Sequence, residues 1–278
     1  LNRRGFAAGL AWAGLAGPAV AQAAFERLPL NGRFIQGGFI MGRARPTALI
    51  FVDGEALTAA GSGGRFFIGL DRDCGPSTRI EARLGEWRAA ETVAVARGEF
   101  PSQTVNGLPP ATVDPTAPEV LARIRREGAL KAEAYASRAP TEDFAEGFDW
   151  PLAQFRISSR WGSQRVLNGT PARPHYGIDM AAPAGTEIHA PAAGLVTLAY
   201  PDMHYEGGIT FLDHGQGLIT VYLHQSRLLV ETGQRVARGD VIGRVGSSGR
   251  ATGPHLCWRA RWRDRNFDPS TLVGSLTI

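Results

Sequence analysis

Glycine sets the grain of this chain. Its 35 glycines, helped by 18 prolines, cut the apolar residues into short runs. Such runs are too short for amphipathic helices of ordinary length and match strands joined by tight turns. Over residues 25–100 the runs Phe34-Ile35, Ala48 to Val52, Arg65 to Leu70, Thr78 to Leu84 and Thr92 to Ala96 alternate with turn signals. Among these are Asp53-Gly54, Gly61-Ser62-Gly63-Gly64 and Cys74-Gly75-Pro76. This spacing predicts a small β-sandwich-like domain. The region holds no histidine and no other cluster of reactive side chains.

Residues 101–147 read as a linker. Pro101 to Pro118 is rich in Pro, Thr and Asn, and Val120, Leu121, Ile124 and Leu130 then place one helix at about 119–137. Residues 148–278 return to glycine-punctuated β runs: Gly194 to Leu198, Ile209 to Leu212, Leu218 to Leu223, Val241 to Val245 and Leu256 to Ala260. The fold class is therefore mainly β, with a second, separate β-rich domain at the C-terminal end. A length of 278 residues suits two modest domains, and 44% hydrophobic with 20% charged residues is a globular balance.

The net charge of +4 is carried by arginine, because Lys131 is the only lysine. That excess suits an anionic polymer and is too weak for a nucleic-acid partner. Residues 1–23 read as a signal peptide. Arg3-Arg4 precede the mildly apolar Phe6 to Ala16, and Ala19-Val20-Ala21 and Ala21-Gln22-Ala23 fit small-residue cleavage sites. The paired arginines point to twin-arginine export. The apolar run falls short of a membrane span, so no stable membrane insertion is expected after cleavage. In an oxidising compartment the two cysteines, Cys74 and Cys257, invite a disulfide reading.

All six histidines lie in the last region. Three signals stand out there: His175-Tyr176-Gly177-Ile178-Asp179, Tyr222-Leu223-His224, and Gly253-Pro254-His255-Leu256-Cys257-Trp258. In regular strands residues two apart share a face, which pairs Tyr222 with His224 and His255 with Cys257. A His nitrogen, an Asp oxygen and a third soft ligand make a three-ligand zinc site with a position left for water. The remaining histidines, His189, His204 and His214, read as structural or groove-wall residues.

These motifs, with Arg160-Trp161-Gly162, Asn168-Gly169 and Pro183 to Thr186, resemble the lysostaphin/LytM-type zinc metallopeptidases over roughly residues 155 to 268. The resemblance implies a compact antiparallel β domain with a groove across its sheet. It also implies zinc-dependent cleavage of peptidoglycan peptides, exported and most naturally periplasmic. His175 and Asp179 match the first two metal ligands, His224 the catalytic histidine, and His255 the first histidine of an H-x-H motif. Asn168 matches a position preceding the first ligand. Cys257 stands where that motif places its second histidine, the third ligand. The residues leave three roles open for it: a thiolate ligand, the mark of a decayed site, or a disulfide partner of Cys74. Direct D-alanyl cross-links and glycyl bridges are both possible targets.

Two rivals follow. Gly233 to Gly243 resembles the hammerhead turn of biotinyl and lipoyl carrier domains, which need an acceptor lysine that this region lacks. An inactive regulator that binds and activates a wall amidase is the other, but it would be expected to have lost ligands. The N-terminal β region then reads as a spacer or wall-binding module.

Overall fold

A computed structural model describes residues 25–109 and 112–274; the expected signal peptide lies outside these. Strands β1 (Leu30–Arg33), β2 (Phe39–Arg43) and β5 (Arg65–Gly69) form one antiparallel sheet. Strands β3 (Leu49–Val52), β4 (Glu55–Ala59), β6 (Ser77–Leu84) and β7 (Trp87–Ala94) form a second, in the order β4-β3-β6-β7. The burial of β6 alternates residue by residue, as expected of a strand with one face in a core and one in water.

The C-terminal region supplies β9 (Arg156–Ser159), β10 (Gln164–Leu167), β11 (Thr170–Pro171), β12 (Ile178–Ala181), β13 (Glu187–His189), β14 (Gly194–Met203) and β15 (Gly207–Asp213). It continues with β16 (Leu218–Leu228), β17 (Arg235–Val236), β18 (Val241–Val245), β19 (His255–Trp262) and β20 (Arg265–Phe267). Its main sheet runs β17-β14-β15-β16-β19-β12-β9, with β18 and β13 off β16 and β20 off β19. One face carries a core of Tyr222, Trp258, Met180 and Val196. The other carries Leu198, Phe211, Val221, Leu223 and Cys257.

Two features differ from the expectation of separate domains joined by a linker. Phe67 of β5 lies 5.5 Å from Phe267 and 5.7 Å from Phe144 between ring centroids, so one apolar core runs through both β regions. Gln216, at the β15–β16 turn, donates to the carbonyl of Arg65 at 2.9 Å. The expected linker also contains a strand, β8 (Ser102–Val105), which pairs in parallel with β10. Its flanking Pro101 and Asn106-Gly107 read as loop punctuation, while the partner that makes it a strand is some sixty residues further along the chain.

The helix, α1, spans Pro118–Ala136, with proline in its first turn. Ala134, Leu130 and Tyr135 lay it over the Cys257 face of the main sheet. Its buried Glu127 accepts from Arg123 at 2.6 Å and from the His204 backbone at 2.9 Å. No helix among the described residues is long and apolar enough to cross a membrane.

Candidate metal centre

Strands β12 and β19 pair antiparallel with Asp179 opposite Cys257 and Ala181 opposite His255. This register places Asp179 and Cys257 side by side on one face. His175 enters from the segment just before β12. Its Nε2 lies 3.2 Å from Asp179 Oδ1 and 3.4 Å from Cys257 Sγ. The three donor atoms all lie within 4.8 Å of one another. Gly177 makes the approach possible: a Cβ there would stand 2.7 Å from Cys257 Sγ and 3.3 Å from His175 Nε2.

These atoms fit a metal ion. A tetrahedral ion with bonds of about 2.0–2.3 Å separates its ligands by about 3.3–3.8 Å, close to the spacings seen. Asp179 Oδ1 is buried and has no aligned hydrogen-bond partner, an arrangement that is costly unless something else satisfies the oxygen. The set of one nitrogen, one carboxylate oxygen and one sulfur suits a borderline divalent cation.

The proton on His175 is placed by its neighbours. Ser159 Oγ donates to Gln103 Oε1 at 2.6 Å and accepts from Arg165 Nη2 at 2.9 Å. A hydroxyl has one proton, so the third contact, to His175 Nδ1 at 3.3 Å, is a donation from the ring. Nε2 is then left with a bare lone pair facing Asp179 and Cys257. Arg165 also donates to Asp179 Oδ2 at 2.9 Å. Burial works to raise the Asp179 carboxyl, but the positive surroundings, with Arg165 donating to Oδ2, hold it well below the usual carboxylate range. Burial pushes the Cys257 thiol up to about 12, against the pull of Arg259. Metal binding at this cysteine therefore displaces a proton.

His224 and His255 face each other across the rim, with ring centroids 4.6 Å apart. His224 Nδ1 donates to the carbonyl of Ser248 at 2.8 Å, and His255 Nδ1 donates to that of Gly253 at 2.8 Å. His255 Nε2 lies 3.8 Å from Asp179 Oδ1. Burial, reinforced by the adjacent His255, lowers His224 to about 3.

The expected common face of Tyr222 and His224 is not found. Tyr222 is fully buried opposite Trp258, in the core on the far side of the sheet. His224 has a φ of 65°, a left-handed backbone that reverses the strand's alternation and turns its ring to the cavity. Its backbone N–H is tied to the Glu206 carbonyl at 2.8 Å, and a register irregularity follows at Gln225. A strained, non-glycine backbone of this kind is typical of functional positions.

The other sequence expectations resolve plainly. Cys74 and Cys257 are both free thiols, so the disulfide reading is withdrawn; Cys74 lies in the loop between β5 and β6, and Cys257 on β19 faces the donor set. His214 is buried between the Ala193 carbonyl and Thr220 Oγ1, and His189 bonds the Gly239 carbonyl. Asn168 turns from the site to clasp the backbone of Leu108 with its side-chain amide. Gln103, Ser159, Arg165 and Arg259 were not singled out from the sequence. Nothing in their local pattern marks the first three, which reach the site through partners on other strands; Arg259 is marked by the strand alternation that also pairs His255 with Cys257.

The donor set opens into a cavity of about 960 Å³, walled by the main sheet, the segment around β8 and Ile124 of α1. Comparison with known proteins gives this geometry a context. The profile of Peptidase family M23 matches residues 173–269. A crystal structure described as a candidate peptidase M23 from Pseudomonas aeruginosa superposes with a TM-score of 0.65 at 31% identity, covering 87% of this chain and 96% of that one. The peptidoglycan DD-endopeptidase ShyA of Vibrio cholerae is 39% identical over 114 residues, which is 41% of this chain and 26% of that protein. The DD-carboxypeptidase/endopeptidase Mpg of Neisseria meningitidis is 40% identical over 123 residues, 44% of this chain and 28% of that protein. The chain thus spans little more than a quarter of the length of the last two relatives.

Proposed function

Since this chain belongs to peptidase family M23, we propose that it is a zinc-dependent endopeptidase that hydrolyses peptide cross-links of peptidoglycan, exported to the periplasm by the leader over residues 1–23. The observation that carries this reading is the convergence of His175 Nε2, Asp179 Oδ1 and Cys257 Sγ within 4.8 Å on a cavity rimmed by two further histidines. Such convergence argues against a decayed site, and with it against a purely regulatory role. The named activities of the matched relatives point to the same substrate class.

His175, Asp179 and Cys257 would hold the zinc ion. When bound it supplies Lewis-acid polarisation of a peptide carbonyl and activation of water near neutral pH. The protein's own residues do the rest. His224 is kept neutral by burial and has its Nδ1 proton committed to Ser248. Its Nε2 is therefore free to take a proton from the attacking water and pass it to the leaving amine. His255, on the rim beside His224, would face the oxygen that gains negative charge. Arg165 and Ser159 orient Asp179 and His175.

Digestion of purified cross-linked muropeptide dimers tests this. The zinc-loaded protein is expected to convert dimers to monomers, and His224→Ala to lose about 10²–10⁴-fold in rate while keeping its metal. Intact dimers after incubation with zinc-loaded wild-type protein would contradict the proposal.

A further inference from the structure

Beside the donor set, the cavity holds two arginines that the mechanism does not use. Arg259 stands two residues beyond Cys257 on β19, so both side chains leave the strand on the same face. A Cβ at Gly177 would meet Cys257 Sγ at 2.7 Å and Arg259 Cγ at 2.9 Å, which places the arginine stem against the candidate ligand. Arg250, from the loop before β19, stacks its guanidinium 4.9 Å from the Tyr205 ring centroid and donates to the Thr112 carbonyl at 3.2 Å. Both line the cavity.

Neither guanidinium is paired with a carboxylate, although Arg259 also leans on the Cys257 sulfur, which favours its charged form. The carboxylates that line the cavity are already held, Asp179 by Arg165 and Glu206 by Lys131. Among the described residues no carboxylate lies within ion-pairing distance of Arg250 or Arg259. Arg259 Nε is also buried without a hydrogen-bond partner. Burial and the nearby Arg259 together lower the pKa of Arg250, as expected of two cations that crowd each other. Half-buried guanidiniums without a carboxylate partner keep donors to spare, and an incoming anion would satisfy them. Arginine's planar fork suits a carboxylate in particular.

We propose that Arg250 and Arg259 form a carboxylate subsite, selecting peptides in which the carbon bearing the scissile nitrogen also bears a free carboxylate. This rests on the peptidase reading and narrows it. In a direct D-alanyl cross-link the amine comes from the D-centre of a diamino acid, and that carbon carries a free carboxylate. A D-alanyl-D-alanine terminus has the same arrangement. A glycyl bridge has an amide in its place and offers the arginines nothing to bind. The reaction itself is hydrolysis: the hydroxyl of water joins the D-alanyl carbonyl carbon, the C–N bond breaks, and the nitrogen takes the proton.

The test compares two dimeric muropeptides that differ only in this group, one with the free carboxylate and one with it amidated. The zinc-loaded full chain is expected to cleave the acid with kcat/KM at least about 10²-fold above the amide. In Arg250→Met, and in Arg259→Met brought to the same zinc content, that ratio should fall to a few-fold, chiefly through KM. Arg259→Lys should recover part of it. Equal rates on acid and amide in the wild type, or undiminished discrimination in both Met variants, would overturn the subsite while leaving the peptidase reading intact. If neither dimer is cleaved, the peptidase reading fails separately. An NMR titration with N-acetyl-D-alanine and its amide then decides the subsite alone: acid-selective binding lost in the Met variants supports it, and binding without selectivity overturns it.

Discussion

The floor and the front wall of the cavity are built in different ways. The floor comes from one antiparallel ladder, in which the β12–β19 register sets Asp179 beside Cys257 and His255 two pairs further on. The front wall is assembled from β8, β9 and β10: Ser159 and Arg165 touch the far sides of His175 and Asp179, and Gln103 holds Ser159 from behind. The floor supplies the donor atoms; the wall supplies their orientation and the position of a proton. A site of this kind can hold every ligand within a short matched segment and still depend on residues outside it, as the second layer around metal sites generally does.

The largest expected effect falls on the floor. Asp179→Asn removes the only carboxylate among the candidate ligands and leaves Arg165 facing a neutral amide, so metal should be absent from the purified variant by elemental analysis. Retention of a full complement of metal would break the assignment of the floor. The wall should matter less. Gln103→Met, which cannot accept from Ser159, is expected to weaken zinc binding by about 10–100-fold in a chelator competition. Gln103→Glu, which can still accept, should stay much nearer the wild type. Equal affinities for all three proteins would remove the wall from the account.

A third effect is steric. Gly177→Ala puts a methyl group 2.7 Å from Cys257 Sγ, and overpacking of this sort costs about 1–3 kcal/mol. Urea unfolding should show that loss, together with weaker metal binding; an unchanged midpoint would mean that the floor is looser than described. The gentlest effect is on pH. Burial lowers the pKa values of His175 and His214, and that of His224 to about 3. The unfolded chain takes up protons at these rings near pH about 6.5, while the folded chain does not. Metal-free stability should therefore be full above about pH 6.5 and decline as the pH falls toward about 3. A flat urea midpoint between about pH 6.5 and 5, above the carboxylate range, would contradict it.

The same contrast explains what the sequence could reveal. Asp179, His255 and Cys257 sit in short local motifs whose spacing carries over directly into a strand register, and His175 stands four residues before Asp179 in the segment that leads into β12. The β character of both halves was legible for the same local reason, as was the helix, read at about 119–137 and found at Pro118–Ala136. Gln103 was not legible, because its meaning depends on a parallel pairing with β10 across some sixty residues. The orientation of His224 was not legible either. Strand alternation puts it with Tyr222, and only the left-handed backbone at that one residue sends the two side chains to opposite faces. The joining of both β regions by Phe67, Phe144 and Phe267 is likewise a matter of tertiary packing that no local pattern announces.

The central claim is that Cys257 completes a metal site with His175 and Asp179. Its most direct test is the metal content of the full chain, purified without chelator and offered zinc, beside Cys257→Ala and Cys257→His. The account predicts about one zinc per chain in the wild type, none in the alanine variant, and zinc restored in the histidine variant. Zinc retained at full stoichiometry by Cys257→Ala, or a wild-type protein that stays empty, would contradict it.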